Sequence, residues 1–146
     1  MQSNLFTITY FFQVDGFWID GDEKEDANLK GITFFRFEPI MLYDYLNVSS
    51  GKKRKYPVVI NHPVSLNYKV IFHFPEKLVI DDDVDIYEND AFYYKEVVEQ
   101  IDIQTVQICY TLKSLTNEIS AEKYPEICEQ KDKIRDKLPA VFYFLK

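Results

Sequence analysis

Short runs of β-branched and aromatic residues between turn-forming residues dominate the middle of this chain. The clearest stretch runs from Tyr56 to Phe74, where the segments Pro57 to Asn61 and Leu66 to Phe74 flank His62-Pro63. These runs are too short for helices, and proline lacks the N–H group that a central strand must donate. The pattern therefore predicts two antiparallel strands, with the prolines at strand starts or edges.

Similar patterns predict strands along most of the chain, because side chains of a strand alternate between its two faces. Phe17-Trp18-Ile19 could begin a hairpin partner after the Asp15-Gly16 turn. The other predicted strands are Leu5 to Val14 (Phe6, Ile8, Tyr10 and Phe12 on one face, Thr7 and Thr9 on the other), Ile32 to Glu38, Leu78 to Ile80, Phe92 to Ile101, Thr105 to Leu115 (Val106, Ile108, Tyr110 and Leu112 on one face) and Ala140 to Leu145.

Polar segments separate these strands. The segment Met41 to Val48 suits one helical turn as well as a short strand, because Leu42, Tyr45 and Leu46 fit both periods. The predicted loops and turns are Asp20 to Asp26, Ser49 to Lys55, the acidic Asp81-Asp82-Asp83 with Asp85, and Glu88-Asn89-Asp90.

The hydrophobic period changes to three and four residues near the C-terminal end, which predicts one amphipathic helix over residues 121–137. Ser120 is the expected N-cap, and Pro139 ends the helix. The last turn carries positive charge, as the helix dipole favours. The apolar stripe consists of Tyr124, Ile127, Cys128, Lys131, Ile134 and Leu138.

The order of elements predicts a mainly β fold: an antiparallel two-layer β-sandwich with one helix near its C-terminal strand. The 146 residues suit one domain spanning 1–146, and 47% hydrophobic residues are enough for a packed core. Because the first predicted strand begins almost at Met1, we expect the chain to be a piece of a larger multidomain protein.

Charge excludes one class of partner. A net charge of −7 argues against nucleic acid, which requires a basic surface. The one basic run, Lys52 to Lys55, is typical of a solvated loop, with contact to a polyanion as the alternative. No apolar run is long enough to span a bilayer, and Met1 to Asn4 lack the features of a signal peptide.

Four signatures in order carry a family resemblance. They are a basic loop leading into Tyr-Pro-Val (Lys53 to Val58), a strand ending in Phe-Pro-Glu (Phe74 to Glu76), a long hairpin opened by Phe92-Tyr93-Tyr94, and a helix beginning near Tyr124 before a short strand that closes on Lys146. Together they resemble the C-terminal β-sandwich domain, of unknown function, in bacterial transglutaminase-like proteins. The resemblance covers residues 28–146, most clearly 53–146.

The resemblance implies a bacterial origin and an exported, cell-envelope parent whose papain-like catalytic core lies upstream. It implies a non-catalytic accessory domain that packs against, or presents, a neighbouring transglutaminase-like domain of the same parent chain. The chain departs from the family before Val58, since Arg54 is followed by Lys55-Tyr56 where the family has arginine next to Pro-Val.

The residues themselves predict no catalytic site. A papain-like site needs a cysteine activated by a following histidine, yet His62 and His73 both precede Cys109 and Cys128. Cys109 lies within a predicted strand and Cys128 within the predicted helix, so two buried free thiols are favoured over a disulfide. We therefore expect that the chain is not an enzyme.

We also predict no metal site and no cofactor. The two histidines lack the spacing of a zinc site, and the acidic segments lack the order of an EF-hand. A solvated loop is favoured over calcium binding for Asp81 to Asp85 and for Asp20-Gly21-Asp22. Carboxylates that could form a glycosidase pair are no more frequent than in any acidic β-protein: Glu96, Glu99, Asp102 and Glu118.

Aromatic side chains offer the strongest route to binding. They could form a patch for a neighbouring domain, or a stacking platform for sugar rings. The alternative function is therefore a β-sandwich module that binds carbohydrate or the cell surface. The candidate residues are Tyr43, Tyr45, Tyr93, Tyr94, Phe17 and Trp18.

Overall fold

A computed structural model describes residues 7–20, 32–47 and 54–145 of the protein. These residues form antiparallel β-sheets and two helices, so the predicted mainly β class is confirmed, consistent with a β-sandwich-like fold. The elements are β1 (Ile19–Asp20), β2 (Ile32–Phe37), α1 (Ile40–Leu46), β3 (Val58–Val59), β4 (Ser65–His73), β5 (Asp83–Glu88), β6 (Phe92–Asp102), β7 (Thr105–Ser114), β8 (Glu118–Ile119), α2 (Tyr124–Lys137) and β9 (Ala140–Leu145).

The chain divides into two compact units. One combines Met1–Phe37 with Ala140–Lys146, and the other is Glu38–Pro139. The assignment of residues 1–146 to one β-sandwich domain stays a prediction.

The smaller unit contains a three-stranded antiparallel sheet in the order β1-β2-β9. Its aromatic residues pack in edge-to-face and stacked pairs, the geometry that their ring quadrupoles favour. The Trp18 and Phe144 ring centroids are 4.2 Å apart, and those of Phe35 and Phe142 are 6.1 Å apart. The predicted strands at Ile32 to Glu38 and at Ala140 to Leu145 are confirmed.

The larger unit contains a four-stranded antiparallel sheet in the order β4-β7-β6-β5. The predicted hairpin of residues 92–101 and 105–115 is confirmed as β6 and β7, and the predicted strand at residues 66–74 as β4. All four side chains predicted for the inner face of β7 are buried: Val106, Ile108, Tyr110 and Leu112.

Helix α2 buries the predicted stripe, so its amphipathic assignment is confirmed. The helix begins at Tyr124, later than predicted, because residues 121–123 form a turn. Lys123 therefore occupies the N-cap position, and the Ser120 hydroxyl accepts a hydrogen bond from its N–H group at 3.3 Å. The ambiguous segment at 41–48 forms α1, which buries Leu42 and Leu46; Val48 lies outside the described residues.

The first predicted strand is wrong for residues 7–14, which have no regular secondary structure. Ile8 is 55% exposed and Phe12 84% exposed, so the alternating pattern meets no partner surface there. Leu5 and Phe6 lie outside the described residues. The hydrophobic pattern was present, but a strand needs a neighbour to complete its hydrogen bonds.

The predicted order of strand and loop between Leu78 and Glu88 is also wrong. Leu78 to Ile80 have no strand structure, whereas the predicted acidic loop enters strand β5 at Asp83. Pairing with β6 along six positions, from Asp83 opposite Val98 to Glu88 opposite Tyr93, overrides the low strand propensity of aspartate. The turn at Asn89-Asp90 is confirmed: the Asn89 side-chain oxygen accepts the N–H groups of Ala91 and Phe92 at 2.7 and 3.0 Å.

Smaller differences concern the connecting segments. The strand predicted at residues 57–61 is reduced to β3, which pairs with the unpredicted strand β8. Asp20 belongs to β1, while the rest of the polar loop, residues 21–26, and residues 49–53 of the basic loop lie outside the described residues. Within 7–20, 32–47 and 54–145, no helix is long and apolar enough to cross a membrane.

Candidate binding cleft

The residues considered for thiol catalysis lie on separate elements. Cys109 is half-buried on β7 and Cys128 is buried on α2, and both are free thiols. The His62 ring nitrogen Nδ1 lies 2.9 Å from the Ser114 hydroxyl, and the His73 Nδ1 lies 3.1 Å from the Thr105 hydroxyl. The histidines thus tie strand ends together through hydroxyl groups.

The carboxylates considered for metal binding or glycoside hydrolysis lie on several elements: Glu96, Glu99 and Asp102 are on β6, Glu118 is on β8 and Asp20 is on β1. Asp82 accepts the Gln100 N–H group at 2.8 Å, Asp102 accepts the Gln104 N–H group at 2.8 Å, and Glu99 accepts the Gln107 amide at 3.2 Å. In the part of the chain that the structure describes, no three His, Cys, Asp or Glu side chains form a group that could hold a metal ion. Gly21 and Asp22 lie outside it.

The aromatic candidates have different surroundings within the two units. Tyr94 is buried in the core of the larger unit, whereas Phe17 and Trp18 belong to the smaller unit, where their ring centroids are 4.6 Å apart. Both of these rings also pack edge-to-face on Phe35. Of the other candidates, Tyr45 is exposed and lines the cleft described next.

The larger unit contains an open cleft of about 320 Å³, at the lower end of the volumes that small ligands occupy. The end of α1, strand β3, the start of β6, the end of β7 and the first half of α2 form its walls. The apolar part includes Val58, Ile60, Phe92, Leu112 and Ile119, and the charged residues are Asp44, Arg54, Lys113 and Lys131.

Lys131 is the most buried charged residue of this lining, at 8% exposure. Its amine donates a hydrogen bond to the Tyr45 carbonyl oxygen at 3.0 Å and lies 5.7 Å from the centre of the Phe92 ring. Burial lowers the pKa of this amine, because the surroundings stabilise its charge less well than water does. The amphipathic stripe of α2 brings Lys131 there, since the residue shares the helix face of Ile127, Cys128 and Ile134.

Arg54 is a second basic residue in the lining of the cleft. Its guanidinium carbon is 4.6 Å from the centre of the Tyr124 ring, a cation–π contact, and its Nη2 atom lies 3.5 Å from the Tyr124 hydroxyl. Tyr124 is buried, and this burial is the largest cause of its raised pKa. The first turn of α2 therefore supplies the surface that orients Arg54.

Ser114 closes the cleft near the end of β7. Its hydroxyl oxygen accepts the Val64 N–H group at 2.7 Å and contacts His62 as described above. The Ser114 N–H group donates to the Val64 carbonyl oxygen at 3.0 Å. These bonds hold the His62-Pro63 segment against β7, which gives that wall of the cleft a defined backbone.

A second cavity of about 320 Å³ lies beside a polar network on the inner face of the sheet; the cavity is lined by Asp83, Asp85, Glu96, Val98, Asp136, Lys137 and Pro139. Within the network, the Tyr94 hydroxyl donates to Glu96 at 2.7 Å, and Lys137 donates to Asp85 at 2.7 Å. Burial, followed by repulsion from Asp85 and Asp83, raises the pKa of Glu96, although the bond from Tyr94 opposes the shift.

No protein-family model, no curated protein and no solved structure matches this chain. The cleft is therefore described from its own residues. Sequence reasoning missed it because its walls come from segments up to 87 positions apart, between Asp44 and Lys131. One signal is present in the sequence: a lysine, Lys131, within the otherwise apolar stripe of α2.

Proposed function

We propose that this chain is a non-catalytic interaction domain that binds a neighbouring protein domain through the cleft of Arg54 and Lys131. The observation that carries the proposal is the composition of the cleft. Apolar walls surround a buried lysine and an arginine in cation–π contact with a tyrosine, and arginine and aromatic side chains are enriched at protein interfaces.

The resemblance of residues 53–146 to the C-terminal domain of bacterial transglutaminase-like proteins suggests the partner. On this proposal, the partner is a papain-like transglutaminase domain of an exported bacterial parent chain, which would contain the catalytic residues. The present chain would position that domain.

A binding experiment with two tryptophan variants tests the proposal. Asn61 is exposed and lines the cleft, so Asn61→Trp should obstruct the cleft while leaving its charges intact. Glu76 is exposed in a turn outside the cleft lining, so Glu76→Trp is the matched control. Sedimentation velocity of each protein with a purified bacterial transglutaminase-like catalytic domain measures the complex.

We expect a complex with the wild type and with Glu76→Trp, and at least about a tenfold loss of affinity with Asn61→Trp. A complex that forms equally well with both variants would show that the cleft is not the interface. Absence of any complex with the wild type would contradict the proposed partner.

A further inference from the structure

The charge of the cleft is opposite to that of the whole chain. The chain has a net charge of −7, whereas the cleft lining contains three basic residues and one acidic residue: Arg54, Lys113, Lys131 and Asp44. Walls of low polarity strengthen the field of such charges and concentrate ligands of opposite charge. The cleft thus has the electrostatic character expected for an anionic ligand.

The surroundings of Lys131 point in the same direction. Among the described residues, its side chain contacts a backbone carbonyl and an aromatic ring, and it forms no ion pair with a carboxylate. A buried ammonium group without an opposite charge is costly, and the cost falls when an anion is bound beside it. A ligand carboxylate would supply the missing charge.

Arg54 supplies a second contact with defined geometry. Its guanidinium carbon lies 4.6 Å from the centre of the Tyr124 ring and its Nη2 atom contacts the Tyr124 hydroxyl at 3.5 Å, an arrangement that leaves the N–H groups of Nε and Nη1 to donate to a ligand. Two parallel hydrogen bonds from an arginine fork match the two oxygens of a carboxylate. Stacking on Tyr124 reduces the side-chain entropy that would be lost on binding.

We propose that the cleft binds a carboxylate group of an acidic peptide segment, with Arg54 and Lys131 as its binding residues. This inference rests on the proposed function, and it specifies the chemistry of the partner's contact. A peptide is favoured over a free inorganic anion for two reasons. The cleft volume of about 320 Å³ is larger than a single anion needs, and the side chains of Val58, Ile60 and Ile119 offer apolar surface to neighbouring peptide side chains.

Isothermal titration calorimetry tests the inference with two capped hexapeptides, Glu-Val-Glu-Leu-Glu-Val and its counterpart in which glutamine replaces glutamate. We expect the acidic peptide to bind, and the neutral peptide to bind at least about tenfold more weakly. Arg54→Gln and Lys131→Met should each lower the affinity for the acidic peptide by at least about tenfold. Lys69→Gln removes the same charge from the exposed face of β4, away from the cleft lining, and should leave the affinity within about twofold.

Three results would overturn the inference. They are equal affinity for the two peptides, an equal effect of Lys69→Gln and Lys131→Met, and binding of inorganic phosphate as tightly as the acidic peptide. Circular dichroism and a cooperative melt establish that each variant is folded before its affinity is compared.

The inference and the proposed function fail in different ways. If the acidic peptide does not bind but Asn61→Trp still abolishes the complex with the catalytic domain, the carboxylate site is wrong and the interaction domain stands. If the peptide binds as expected but Asn61→Trp leaves that complex unchanged, the carboxylate site stands and the proposed function is wrong.

Discussion

The amine of Lys131 donates a hydrogen bond to the carbonyl oxygen of Tyr45 at 3.0 Å, which connects α2 to α1 beneath the cleft. A charged group is thereby buried where an aliphatic side chain would cost less free energy. Ionisable groups with perturbed pKa values cluster at functional sites, and the cost of burying them reduces the stability of the unbound protein.

Lys131→Met should therefore stabilise the protein or leave it unchanged, by about 0 to 2 kcal/mol at neutral pH, because methionine fills a similar volume without a charge. The folded-state pKa of Lys131 is lowered from 10.5, so the unfolded chain binds the proton more tightly. The free energy of unfolding of the wild type should therefore rise with pH between the lowered pKa and 10.5. Because Lys131→Met lacks this titrating group, its stability advantage over the wild type should shrink over the same pH range. Urea unfolding at several pH values measures both effects. A variant that is less stable by more than about 1 kcal/mol at neutral pH would contradict the argument.

Tyr110 and Tyr94 provide a matched pair of hydroxyl deletions. Both are buried in the core, but the Tyr94 hydroxyl donates to Glu96, whereas the Tyr110 hydroxyl has no hydrogen-bond partner among the described residues. Tyr110→Phe should stabilise the protein by about 0.5 to 1 kcal/mol, and Tyr94→Phe should destabilise it by about 1 kcal/mol. Changes of the same sign in denaturant unfolding would refute this assignment.

Glu96→Gln tests the polar network below the sheet. The folded-state pKa of Glu96 is raised above 4.5, so its contribution to stability is present at low pH and is lost as pH rises through the folded pKa. Glutamine retains an acceptor for Tyr94 and removes the repulsion from Asp83 and Asp85. We expect a gain of about 1 kcal/mol at pH 7 that disappears below about pH 4. A gain that is the same at both pH values would contradict a charge effect.

Ile108→Asp and Ile8→Asp separate a buried position from an exposed one. Ile108 is 0% exposed in the middle of β7, so a carboxylate there should abolish the cooperative thermal transition. Ile8 lies in the segment without secondary structure, and its substitution should change stability by less than about 0.5 kcal/mol. Thermal melts followed by circular dichroism compare the two. Loss of the cooperative transition in Ile8→Asp would contradict the exposed placement of Ile8 and support the first predicted strand.

The contrast between Ile108 and Ile8 shows what a hydrophobic pattern can establish. Both isoleucines lie in alternating runs, and the sequence alone assigns both runs to strands. Strand β7 has neighbours on both sides, β4 and β6, which complete its hydrogen bonds, and the apolar face that carries Ile108 is buried. Residues 7–14 have the pattern without strand pairing, so the pattern alone does not produce a strand.

Strand β5 shows the opposite case. Asp83 and Asp85 disfavour a strand locally, but pairing with β6 and the Lys137–Asp85 ion pair compensate. The cleft was equally inaccessible from sequence. Arg54 belongs to a basic run whose pattern predicts a solvated loop, with a polyanion contact as the alternative, and only the fold places it over the Tyr124 ring.

The titration of Lys131 tests the carboxylate site most directly. The Lys131 side-chain resonances, assigned by comparison with Lys131→Met, report its pKa by ¹³C NMR with and without the acidic hexapeptide. The account predicts a lowered pKa in the free protein that rises when the peptide binds, because the carboxylate stabilises the ammonium form. The same titration curve with and without saturating peptide would contradict it.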